Sequence, residues 1–119
     1  MDKLLKAIEG INFYCINEDE ILHKRENGYF LDEWNRVNRQ VQGLKEKITY
    51  TSQQKAYSDE IHDYVFGKMY RRSGVSELAE YIADDFRLIL DSKIVGYSDI
   101  WLDRLIDSYM KHKIPCGEA

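Results

Sequence analysis

Phe30, Trp34, Val37, Val41, Leu44 and Ile48 follow one another at gaps of 4, 3, 4, 3 and 4. Only a helix brings side chains at that spacing back to one side, so the pattern predicts a long amphipathic helix beginning near Gly28. Asp32, Glu33, Asn35, Arg36, Asn38, Arg39, Gln40 and Gln42 lie between the seam positions and supply its wet face. Two uses of such a seam are open. It can pack inside the chain's own bundle, or it can pair with a second copy as a short coiled coil.

The flanking text is also helical. Residues 2–9, "DKLLKAIE", suggest a first helix ended by Gly10. "NEDEILHKREN" is the least readable stretch, although Asn17 could cap a helix with Glu18, Asp19 and Glu20 in its first turn. Thr51-Ser-Gln-Gln54 fits a capping box for a helix whose inner face carries Tyr57, Ile61, Tyr64, Val65 and Met69. Ser73-Gly74 breaks it near Arg72, and Ser76 can cap the next helix, which runs to Gly96. Ser98 can cap a last one, and Pro115 stops further winding. No segment alternates as a strand would. The expectation is an all-α fold: a single domain over residues 1–119, built as a compact bundle of about five helices.

With 44% hydrophobic and 32% charged residues, the chain can bury enough apolar surface to order itself. No apolar run approaches the roughly 20 residues a membrane span needs. The N-terminal stretch is interrupted by Lys6, Glu9 and Asn12, so no signal peptide is expected and a cytoplasmic location is. Cys15 and Cys116 have no metal or redox spacing and read as free thiols.

The net charge of −4 is unevenly placed. Residues 1–75 hold twelve acids and twelve bases. Residues 76–110 hold Glu77, Glu80, Asp84, Asp85, Asp91, Asp99, Asp103 and Asp107 against Arg87, Lys93 and Arg104. That surplus disfavours nucleic acid as a direct partner and favours a basic protein surface.

Within that segment, helical geometry separates the adjacent Asp84 and Asp85. Asp85 falls about 20° from Leu78, in the stripe of Ile82 and Ile89, where a carboxylate needs a partner. It is read as a buried polar tether. Asp84 points with Glu77, Glu80 and Asp91 toward the polar side. Asp99, Asp103 and Asp107 recur every fourth residue on the last helix and form an acidic ridge. The ridge is either plain wet surface or a docking surface. The candidate partner-binding residues are Asp84, Asp91, Asp99, Asp103 and Asp107 for charge and Tyr97 for contact area.

No glycine-rich phosphate loop, GxSxG, HExxH or CxxC is present, so no catalytic residue, cofactor or metal is expected and an enzyme is disfavoured. "SDEIHDY" puts Asp59, His62 and Asp63 on neighbouring faces of one turn, which is an incomplete metal site.

The block "SELAEYIADDFRLILDSKIVGYSDIWLDRLIDSYMKHKIP", preceded by "DEIHDYVFGKMY", resembles small helical bacterial immunity proteins that accompany polymorphic toxins of the contact-dependent growth inhibition type. The resemblance covers roughly the C-terminal half and rests on "YIADDFRLI" and "GYSDIWLDRLIDSY". It implies a protein that binds a cognate toxin domain in the cytoplasm and blocks it, often by covering the active site of a nuclease. Such toxins are frequently RNases with basic clefts, which an acidic ligand would suit. A monomer is expected, with a dimer through the 30–48 seam as the adaptor-type alternative.

Overall fold

Side chains that accept a backbone proton decide where three of the six helices begin. The computed structural model describes residues 1–117. Asn17 accepts from the Glu20 N–H at 3.0 Å and starts a helix over Glu18–Glu26. Thr51 and Gln54 close a full capping box, each side chain bonding the other's backbone N–H at 3.0 Å. Asp99 accepts from the Leu102 N–H at 2.7 Å and starts the last helix.

The order is α1 (Asp2–Ala7), two short 3-10 turns (Ile8–Gly10 and Phe13–Cys15), α2 (Glu18–Glu26), α3 (Gly28–Lys47), α4 (Ser52–Ser73), α5 (Ser76–Val95) and α6 (Ile100–Met110). The described residues contain no strand, and the helix count is six rather than about five. The extra element is α2, which has no apolar stripe to announce it and is legible only through its cap. Two cap assignments also shift. α5 is preceded by Val75, with no side-chain cap, and Ser76 is its first residue. α6 is capped by Asp99, not Ser98, because a carboxylate accepts more strongly from the helix's orphan N–H groups. Gly74 and Gly96 end α4 and α5 in the left-handed region, at φ 71° and 75°, where glycine carries no Cβ penalty.

The chain forms two compact units. One comprises residues 1–35 and 99–119, the other residues 36–98. In the first, α1 packs on α6. Its core includes Leu4, Ile8, Ile11, Phe30, Leu105 and Tyr109. Phe30 meets Trp101 edge-on at 5.3 Å between ring centroids. The other side of Phe30 carries the buried Arg25 guanidinium at 4.3 Å, which also donates to the Pro115 carbonyl at 3.1 Å. His112 Nδ1 lies 2.7 Å from the Ala7 carbonyl oxygen and therefore donates to it. The ring stands where a Cβ on Gly10 would sit, so this contact needs the glycine.

In the second unit, α4 and α5 pack side by side along their lengths. Residues 59 and 62 of α4 pair with 87 and 84 of α5, so the two helices are antiparallel. Ala79 and Ala83 are fully buried, and Ile61, Val65, Met69, Leu78, Ile82 and Phe86 are buried in the unit's core. Each such large side chain contributes about 1.5–3 kcal/mol of transfer free energy. The seam of α3 is used inside the chain: Phe30, Val37 and Val41 are fully buried and Ile48 is exposed. Among the described residues no helix is long and apolar enough to cross a membrane.

Candidate functional site

α5 enters the second unit with Ile82, Ala83, Asp85 and Phe86 facing inward, which turns Glu80 and Asp84 toward α4 and solvent. They lie one helical turn apart, so their carboxylates are neighbours. Directly across, α4 presents His62. Its Nε2 lies 3.0 Å from Glu80 Oε1 and 3.2 Å from Asp84 Oδ1, and its Nδ1 lies 3.2 Å from Asp63 Oδ1. Three carboxylates thus converge on one imidazole. One turn further along, Arg87 meets Asp59 at 3.1 Å, and Asp59 also faces Lys55 at 3.7 Å.

The electrostatics of this face are tense. Partial burial pushes the Asp84 carboxyl up to about 6, and the Glu80 charge adds to the shift. Burial pulls His62 down, but its hydrogen bonds to Asp63 and Glu80 outweigh that and leave the imidazole above its ordinary value. The His62 side chain is only 14% exposed, whereas Glu80 and Asp84 are 48% and 39% exposed. The carboxylates can be reached from outside.

Asp91 behaves oppositely. Expected on the polar side of α5, it is 1% exposed, and every residue from Leu88 to Ser92 is buried. This stretch has no wet face, and Lys45 and Tyr50 close over Asp91. The Tyr50 hydroxyl donates to Asp91 Oδ1 at 2.5 Å, and Lys45 Nζ donates to Oδ2 at 3.2 Å. The Lys45 ammonium also sits 4.3 Å from the Tyr50 ring centroid. Burial, followed by the bond to Asp91, pushes the Tyr50 hydroxyl up to about 12. Asp91 therefore offers no accessible charge to a partner. The expectation that it supplies one is corrected: it is a structural acceptor.

The remaining candidates divide as follows. Asp85 is fully buried, where the apolar stripe puts it. Tyr97 is half-buried beyond the αL turn at Gly96, and its N–H returns to the Ser92 carbonyl at 2.8 Å. Asp99, Asp103 and Asp107 belong to the first unit. Asp99 is spent partly as the α6 cap, whereas Asp103 and Asp107 are exposed, Asp107 with Lys111 at 2.8 Å. Asp84 belongs to the second unit. The Asp59–His62–Asp63 grouping on α4 also dissolves. Asp59 goes to Arg87 and Lys55, and the donors that join His62 come from α5. Glu80 was legible only as one more polar residue, and Lys45 and Tyr50 carried no signal. Their roles depend on tertiary placement.

Cys15 and Cys116 are free thiols. A family model described as Immunity protein PIM1 matches residues 2–116. No curated protein and no solved structure matches the chain.

Proposed function

The chain belongs to the PIM1 family of immunity proteins, and from that premise we propose that it binds and occludes the basic active-site cleft of a cognate nuclease toxin, an RNase of a contact-dependent growth inhibition system. Neutralising a toxin is the role the family carries, and that role is an inhibitor's rather than an enzyme's. The nuclease target, the occlusion and a cytoplasmic setting are our reading. So is action as a monomer.

The observation that supports it is accessible carboxylate. Glu80, Asp84, Asp103 and Asp107 stay within reach of solvent in a segment that holds the chain's whole acidic surplus. Carboxylates held on helices can occupy positions that RNA phosphates would take in a cleft lined by lysine and arginine, and they steer association as well. Asp91 is withdrawn from this role, and Asp99 is a poor probe of it because α6 needs its cap. Tyr97 remains a candidate for contact area.

The experiment is co-purification and titration with the toxin domain encoded beside the chain. Asp103→Lys with Asp107→Lys leaves every buried group untouched. The paired reversal should weaken binding by about 10-fold or more, lower the association rate and cut protection in cells. Unchanged affinity and protection in that variant would reduce the α6 carboxylates to plain surface. Failure of the wild-type chain to bind would remove the occlusion reading altogether.

A further inference from the structure

Three carboxylates around the His62 imidazole favour a positive charge among them. If Nδ1 carries the proton, it donates to Asp63, and the Nε2 lone pair then faces two carboxylate oxygens, from Glu80 and Asp84. Three acceptors aimed at one point repel unless something positive lies among them. A second proton on the ring is one answer, but a single N–H cannot serve Glu80 and Asp84 equally well. Arg87, one turn further along, pairs with Asp59 and makes no ion pair with Glu80 or Asp84 among those the described residues show.

The spacing also fits a metal ion. A divalent ion bound at about 2.0–2.1 Å to nitrogen and oxygen in a tetrahedral shell holds its ligand atoms about 3.3 Å apart. Nε2 stands 3.0 Å from Glu80 Oε1 and 3.2 Å from Asp84 Oδ1, and one donor atom from each of the three residues lies within 4.8 Å of the others. The outer group is also in place. A ligating histidine ordinarily gives its other ring N–H to a carboxylate or carbonyl, which fixes the tautomer, and Asp63 stands at that position. The donors come from two packed helices rather than a loop, with His62 mostly buried and the carboxylates open to an entering ion. One nitrogen with two oxygens suits zinc and its first-row neighbours more than calcium or magnesium, which prefer all-oxygen shells.

We propose that His62 Nε2, Glu80 and Asp84 form a three-ligand binding site for a divalent transition-metal ion, zinc by preference, with Asp63 orienting the imidazole. The fourth position is open to solvent or to a group from outside the chain. Glu80 and Asp84 also belong to the accessible carboxylates of the proposed toxin surface, but metal binding is read without the toxin, so either proposal can fail while the other stands.

The test is calorimetric titration of the metal-stripped full chain with Zn2+, and separately with Ca2+ and Mg2+. Expected is one zinc equivalent bound at micromolar or tighter affinity, with calcium and magnesium at least 100-fold weaker. Glu80→Gln and Asp84→Asn alter exposed side chains and keep the helices, so each should fold and each should lose 10-fold or more. Asp63→Asn should lose about 10-fold, within the range typical of outer-shell changes. Nitrogen-detected NMR adds an independent readout, with zinc moving the His62 Nε2 resonance and leaving His23 and His112 in place. Millimolar binding by the wild type would overturn the site. Tight binding indifferent to Glu80→Gln and Asp84→Asn would overturn it equally, by placing the zinc elsewhere.

Discussion

Asp84 and Asp91 occupy nearly the same direction on α5, seven residues and about 20° apart, yet the molecule uses them in opposite ways. Asp91 is closed off from water, and its two oxygens are answered by a hydroxyl and an ammonium. Asp84 remains part-exposed, shares one imidazole with Glu80 and is pushed toward its neutral form. The first is a satisfied buried charge and the second an unsettled accessible one. A helical wheel cannot separate them, because what differs is the cover supplied from Lys45 and Tyr50. The comparison teaches where covered and accessible charge are divided along one helix. At Asp91 the polar side of the helix is closed and holds the fold, whereas at Glu80 and Asp84 it stays open to solvent.

The largest effect should come from opening the closed end. Asp91→Ala would leave the Lys45 ammonium and the Tyr50 hydroxyl without their acceptor, and removing one member of such a pair costs about 3–5 kcal/mol. Urea denaturation followed by circular dichroism measures it. The double change Lys45→Met with Asp91→Leu should cost less than Asp91→Ala alone, since no charge is then stranded. A loss below about 1 kcal/mol for Asp91→Ala would mean that Asp91 is not the anchor, and the comparison would collapse.

Next in size is the hydroxyl. Tyr50→Phe removes a hydrogen bond to a charged group, which is worth about 1.5–3 kcal/mol. The same contact has a pH signature. The folded-state value of Tyr50 is raised to about 12 from an ordinary 10.0. Its contribution is therefore complete below pH 10 and is lost as pH rises through about 12. In a spectrophotometric titration of the folded protein, Tyr50 should ionise late, near pH 12, and Tyr50→Phe should remove that late step. A late step that survives the substitution would assign it to another tyrosine.

The division between the two aspartates also marks how far this fold was legible beforehand. The seam from Phe30 to Ile48, the capping box at Thr51 and the breaks at Gly74 and Gly96 are local signals, and each has its counterpart in a helix or a helix end. α2 was hard to read because charged residues fill its length and its buried group is an arginine. Asp85 was legible as buried from the stripe around it. Asp91 was not, because its burial is imposed by residues 41 and 46 positions earlier in the chain. The His62 cluster was half legible. "SDEIHDY" pointed to the histidine and to Asp63, but the other carboxylates come across the α4–α5 interface, at separations of 18 and 22 residues. Periodicity reports which face a residue takes and not what covers that face.

The smallest effect, and the one of opposite sign, belongs to Asp84. Its folded-state value lies above the ordinary 3.8, so the group favours folding only while protonated. That contribution is full below pH 3.8 and is lost as pH rises through about 6. At pH 7 the ionised carboxylate is a small liability beside Glu80, with His62 offsetting part of the charge. Asp84→Asn should therefore match or slightly exceed the wild type near neutral pH. With the side chain over a third exposed, solvent screening holds the gain to about 0.5 kcal/mol or less. The difference between the two proteins should widen from pH 4 to pH 7 when measured in chelator, so that no bound ion contributes. A clear loss of stability in Asp84→Asn at pH 7 would show that its charge is an anchor like that of Asp91. The middle of α5 would then hold the fold in the same way as its end.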